Sequence, residues 1–132
     1  LIVKGIMDPQ DARQAAAMGA DAVVVSNHGG RQLDGAASSI SVLPSIVDAV
    51  QGRSEVMFDG GIRCGQDILK AMALGASSTL IGRAFLYGLG AQGRQGVTSA
   101  LEIMSRELQI TMALTGCNDI GDAGPALLHR PK

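Results

Sequence analysis

Apolar residues fall along this chain in two rhythms. Short, nearly unbroken runs recur at residues 1–6, 22–25, 55–58 and 79–81. They are flanked by Ser, Asp or Gly, and they read as strands buried on both faces. Between them, apolar and alanine positions return at three- and four-residue spacing, the period of a helix with one buried face. Asp8-Pro9-Gln10-Asp11 is a helix start: Asp8 caps, Pro9 suits the first helical position, and Asp11 favours the positive end of the helix dipole. That helix is expected to run to Met18 and stop at Gly19. A second is expected over 43–50, with Ile46, Val47 and Val50 on one face and Gly52 ending it, and a third over 66–74, closed by Gly75. The last is expected over 97–114, where Val97, Leu101, Met104, Leu108 and Met112 form a stripe that should pack on the sheet, with Thr115-Gly116 ending it.

Strand and helix therefore alternate four times, and Met18-Gly19-Ala20-Asp21 before the second strand echoes Leu74-Gly75-Ala76-Ser77 before the fourth. Such alternation implies βα units on a parallel sheet, an α/β fold. A complete (β/α)8 (TIM) barrel needs about 250 residues, so four units amount to half of one. A lone half would expose two sheet edges. Residues 117–132 carry Gly and Pro and are expected to form a surface tail, and nothing marks a linker that would divide residues 1–132 into two domains.

Composition narrows the classes. The chain has 132 residues, 46% of them apolar, and a net charge of −1, enough for one core and without the basic clusters of a nucleic-acid groove. Aromatic residues are confined to Phe58, Phe85 and Tyr87, too few for base-stacking platforms. No apolar run approaches the roughly 20 residues of a membrane span, and no signal-peptide pattern opens the chain. It begins inside a strand without an initiator Met, which reads as a piece of something longer. Cys64 and Cys117 lie far apart and outside any metal-ligand spacing, as expected of unpaired thiols in a reducing compartment.

Candidate chemistry gathers after the strand at 22–25. Past Ser26-Asn27 come His28, Gly29-Gly30 and Arg31. A histidine can move a proton near neutral pH, an arginine can grip a carboxylate with two parallel hydrogen bonds, and two glycines let backbone bend beside a ligand. The C-terminal end of a buried strand is where α/β folds place working residues. Alternatively, His28 is a satisfied loop histidine, and Asp34 makes a turn or an ion pair. Asp59-Gly60-Gly61-Ile62-Arg63 and Gly82-Arg83 end consecutive strands. Glycine amides, arginines and the positive ends of the following helices there point to a phosphate; otherwise the glycines only make tight turns and the arginines are solvated. Lys4 interrupts an apolar strand, which suggests either an anionic contact or an edge position with its ammonium in water.

Ser26-Asn27-His28-Gly29-Gly30-Arg31-Gln32-Leu33-Asp34, with Val3-Lys4-Gly5 upstream and Asp59-Gly60-Gly61-Ile62-Arg63 and Gly82-Arg83 downstream, resembles the FMN-dependent L-2-hydroxyacid dehydrogenase/oxidase family. The resemblance runs from Leu1 to the region of Gly116. It implies the C-terminal half of a TIM barrel and an enzyme that oxidises a small 2-hydroxy acid of lactate, mandelate or glycolate type to the 2-oxo acid, with FMN as cofactor. It implies Lys4 near N1/O2 of the flavin and Ser26 in contact with it. His28 would be the base, Arg31 the clamp on the substrate carboxylate, and Asp59, Gly60, Gly61, Ile62, Arg63, Gly82 and Arg83 would hold the ribityl and phosphate groups. In the family, the acid that orients the histidine, a second arginine and the active-site tyrosines belong to an N-terminal half-barrel, the partner this chain would need. Ala84, where many oxidases have proline, tilts the electron acceptor toward a quinone or the respiratory chain and away from oxygen. The resemblance further implies a homo-oligomer of the full-length protein, cytoplasmic or peripheral on the inner face of the bacterial membrane. The other functional class is a flavin- or phosphate-binding half-barrel, inactive without its N-terminal half.

Overall fold

The computed structural model describes residues 1–129. Four strands, β1 (Ile2–Ile6), β2 (Ala22–Val25), β3 (Glu55–Phe58) and β4 (Ser78–Thr79), alternate with α1 (Pro9–Ala17), α2 (Ser39–Val50), α3 (Gly65–Ala73) and α4 (Arg83–Thr115). The strands form one sheet in the order β1-β2-β3-β4, and every neighbouring pair is parallel. This is the in-order arrangement of a half-barrel: each helix returns the chain so that the next strand adds beside the last.

Side-chain alternation gives the sheet two unlike faces. Val23, Val25, Val56 and Phe58 point to the helices and build the core with Leu43, Ile46, Val50, Ala71 and Met104. Burying each large member contributes about 1.5–3 kcal/mol. Pairing of Lys4 with Val24, and of Met57 with Val24 and Ser78, puts these four in one row on the opposite face. No helix-core residue lies on that row. In a closed barrel it is the inside.

The local signals at α1 act as expected. Asp8 accepts from the amides of Gln10 at 2.7 Å and Asp11 at 3.4 Å, and Pro9 occupies the first turn. Three expectations need correction. The second helix begins at Ser39, four residues before the expected 43, so Pro44 lies inside it and Ile40 loses the amide that would bond its carbonyl. Ser41 donates its hydroxyl to Ser38 O at 2.7 Å in the first turn, and Ile40 packs on the core. The fourth helix begins directly after Gly82 instead of at 97. It breaks at Gln92-Gly93, and its two segments cross where a Cβ on Gly88 would stand 2.4 Å from Gly96 O. Glycine lowers helix propensity, which hid this segment, yet here it permits two backbones to touch. The stripe on α4 meets chiefly α3 and not the sheet: Met104 reaches the core while Leu101 stays half exposed.

After Gly116 the chain makes two short 3-10 turns, Ile120–Asp122 and Pro125–Leu127, both against α3, and Cys117 is buried. Both cysteines are unpaired. Residues 130–132 of the expected tail lie outside the described residues. Within those described, no helix is long and apolar enough to cross a membrane.

Candidate functional site

The loop after β2 turns left-handed for three residues in a row. His28, Gly29 and Gly30 have φ of 55°, 68° and 72°. Glycine adopts this freely, whereas for His28 it costs on the order of 1 kcal/mol or more. Hydrogen bonds hold the turn. The His28 amide donates to Ser26 Oγ at 3.1 Å and the Gly29 amide to Asn27 Oδ1 at 3.0 Å. Asn27 Nδ2 donates to Ala37 O at 3.1 Å, and the Asn27 amide donates to Ser39 Oγ at 3.2 Å. Asn27 and Ser39 thus tie the loop to the first turn of α2. The motif explains itself: two glycines are needed to carry the turn that a histidine starts.

Ser26 is fully buried, and its Oγ is an acceptor for two groups at once. Besides the His28 amide, it takes a hydrogen bond from Lys4 Nζ at 2.9 Å. The same ammonium pairs with Asp59 Oδ2 at 2.6 Å. Lys4, 42% exposed, leans from β1 across the end of β2 to the end of β3, where Asp59 is 18% exposed. Both readings of Lys4 are partly met: it has an anionic partner, and it still reaches solvent.

Beyond Asp59 the chain opens a cleft of about 430 Å³ lined by Gly29, Gly30, Gly60, Gly61, Ile62, Arg63 and Arg83. Gly60 has φ 99°, and a Cβ there would stand 2.7 Å from Ser39 Oγ; at Gly61 the same position opens onto free space. Lys70 and Asp67 also line the cleft, and Asp67 holds Arg63 loosely through Nε at 3.9 Å. The helix ends beside it differ, contrary to the expectation that each would offer its positive end. At α3 the Gly65 amide already donates to Glu107 Oε2 at 3.0 Å, and the Arg63 amide donates to Asp67 Oδ2 at 3.0 Å. At α4 no side chain among the described residues caps the start, and Arg83 is its first residue. An anion therefore finds open amides and a guanidinium at α4.

The structure brings Lys4, Ser26, His28 and Asp59 into one bonded cluster, and Gly60, Gly61, Ile62, Arg63 and Arg83 into one cleft. Gly82 caps α4 at its edge. Arg31 stands apart: it is exposed, and its guanidinium has no hydrogen bond or ion pair among the described residues. Asp34, likewise exposed, makes no ion pair among them. No group of three or more His, Cys, Asp or Glu gathers for a metal among the described residues. Sequence reasoning gave no role to Asn27, Ser39 or Glu107, which hold the site in place. Ser at a helix start and Asn before Gly-rich turns are recognisable signals; Glu107 reaches α3 from 42 residues away and has none.

A family model described as FMN-dependent dehydrogenase matches residues 1–130. L-lactate dehydrogenase of Haemophilus influenzae is 52% identical over 128 residues, which is 97% of this chain and 34% of that protein. L-lactate dehydrogenase of Pseudomonas aeruginosa is 52% identical over 130 residues, 98% of this chain and 34% of that one. The crystal structure of mandelate oxidase superposes with a TM-score of 0.90 at 52% identity, covering 92% of this chain and 36% of its own. Another mandelate oxidase structure holds a monooxide FMN adduct. The chain spans about a third of the length of the curated relatives it matches.

Proposed function

The chain belongs to the FMN-dependent dehydrogenase family, and from that membership we propose that it is the part of an FMN-dependent enzyme that oxidises an L-2-hydroxy acid of lactate, mandelate or glycolate type to the 2-oxo acid. The observation that carries this reading is the double use of Ser26 Oγ, which fixes a lysine ammonium and the start of a histidine turn on one oxygen. One oxygen thereby ties the Lys4 ammonium to the backbone of the turn that carries His28, at the C-terminal rim of the sheet.

The residues fit the cofactor. A phosphate matches the uncapped start of α4 with Arg83 and, across the cleft, Arg63. A Cβ-free path at Gly60 and Gly61 leaves room for a polyol chain along the rim. When bound, FMN supplies the acceptor for the two electrons leaving the substrate. Lys4, held by Asp59 and Ser26, would supply positive charge to offset the negative charge of the reduced ring. His28 takes the proton of the hydroxy acid. Arg31, with no partner to surrender among the described residues, is free to take the substrate carboxylate in a bidentate grip.

The two outer strands, each with a free edge among the described residues, support a second reading for this stretch by itself, a flavin- or phosphate-binding half-barrel that turns over only with its N-terminal half. The electron acceptor, a quinone, the respiratory chain or oxygen, belongs to the same proposal, as do a homo-oligomeric state and a place in the cytoplasm or on the inner membrane face. The test is His28→Ala in the full-length protein. Flavin should still bind, while its bleaching by L-lactate, L-mandelate or glycolate should slow about 10²–10⁴-fold, as for loss of a general base. Bleaching at the unmodified rate would remove His28 from the reaction.

A further inference from the structure

Gly5 sits where a strand has no need of glycine. In β1, Lys4 pairs with Val24 and Ile6 with Val25, so Gly5 is an extra residue that bulges out of register, at φ 95°. A glycine inside a strand marks either such a bulge or a close approach by something else. Here it marks both. A Cβ on Gly5 would stand 2.6 Å from His28 Cε1, 3.4 Å from Nε2 and 3.6 Å from Nδ1. The imidazole thus meets the bulge through its Cε1 edge, and its two nitrogens flank the contact.

We infer that Gly5 is a positioning residue for His28, a seat without a side chain that fixes the imidazole beside the Lys4 ammonium. Three restraints meet at this histidine. Its amide is held by Ser26 Oγ, its backbone is turned left-handed, and its ring is stopped by Gly5. Ser26 Oγ also holds Lys4, the residue next to the seat, so one dipeptide of β1 supplies both the cation and the stop for the ring. The bulge provides this geometry: it lets backbone occupy the space that a regular strand residue would fill with a side chain. A methyl group at position 5 must displace the ring, because the ring atoms are its nearest neighbours.

The inference rests on His28 being the proton acceptor, and its test separates the two. In the full-length, flavin-loaded protein, Gly5→Ala should lower kcat/KM for the 2-hydroxy acid about 10²-fold, the effect of a reacting group misplaced by about an ångström. It should alter the pH–rate profile, move the NMR resonance of the His28 Cε1–H, and leave flavin binding intact. In a His28→Gly background, Gly5→Ala should cost little more. A full multiplicative loss in that background, or an unmoved Cε1–H resonance, overturns the seat. Should Gly5→Ala fail to fold, Gly5→Ala with His28→Gly should recover part of the soluble yield and melting temperature, since the clash with the ring is gone and only the cost of alanine at φ 95° remains; no recovery at all also overturns it. If His28→Gly keeps normal turnover while Gly5→Ala still moves the resonance, the proton-acceptor reading falls and the seat stands.

Discussion

His28 keeps a left-handed backbone because Ser26 and Asn27 satisfy the amides that the turn exposes. Arg31, three residues on, is held by nothing comparable, and that contrast sets what each substitution should do. Arg31→Lys keeps the charge but loses the fork. It should raise KM and lower kcat/KM about 10- to 100-fold, matching the ~1.5–3 kcal/mol of a hydrogen bond to a charged group; steady-state kinetics with a single hydroxy acid reads this directly. At Lys4 the expected effect includes stability. Lys4→Met strands the mostly covered Asp59 carboxylate, and the denaturation free energy should fall about 1–2 kcal/mol, between the surface and buried limits for an ion pair. Adding Asp59→Asn should restore part of it, since the two residues share one interaction.

Among the elements, α3 and α4 are joined by a carboxylate that serves as a cap from outside the helix. Glu107→Ala removes the acceptor of the Gly65 amide, and a loss of about 0.5–2 kcal/mol, the range of an N-cap, should appear in urea denaturation. Gly65→Ala is expected to be worse, because its Cβ would fall 2.0 Å from Leu108 N and force two backbones apart. The first three strands at this scale were legible in the sequence, while the fourth, expected over 79–81, forms at Ser78–Thr79. Ala22–Val25 is a short β-branched run that could sit only inside, and Asp8-Pro9 is a helix start by residue type alone. The start of α2 was hidden because Ser38-Ser39-Ile40-Ser41 reads as loop and Pro44 reads as a first-turn residue. The segment 83–91 was hidden by glycines that exist for a contact with Gly96. Of the site, the residue types were legible. Their joining was not: Lys4 reaches Ser26 and Asp59 across two strand boundaries, and no local period announces a contact of that range.

For the molecule as a whole, the row Lys4, Val24, Met57 and Ser78 is a barrel interior without its second half. Ser78 Oγ is buried there with no hydrogen-bond partner among the described residues. The outer strands β1 and β4 each present an unpaired edge, and Ile2 on β1 is 57% exposed. Such edges template association. The isolated chain should therefore self-associate as its concentration rises, while the full-length protein, about three times as long in the relatives, should not bring these surfaces into contact with solvent. Sedimentation velocity over a dilution series distinguishes the two, and a sharp monomer boundary at every concentration for the isolated chain would mean that its edges are protected.

The blocked start of α3 and the open start of α4 also impose a direction. With Glu107 on the Gly65 amide of α3 and no side chain among the described residues capping α4, an anionic tail held as proposed would be anchored at the last strand, and a head that reaches the imidazole would have to extend backward along the rim. Three inter-strand steps separate β4 from β1, about 14 Å. On the proposed reading the working head of such a ligand would come to rest over the first two strands, at the far end from its anchor, and a molecule of shorter reach would bind without meeting the imidazole.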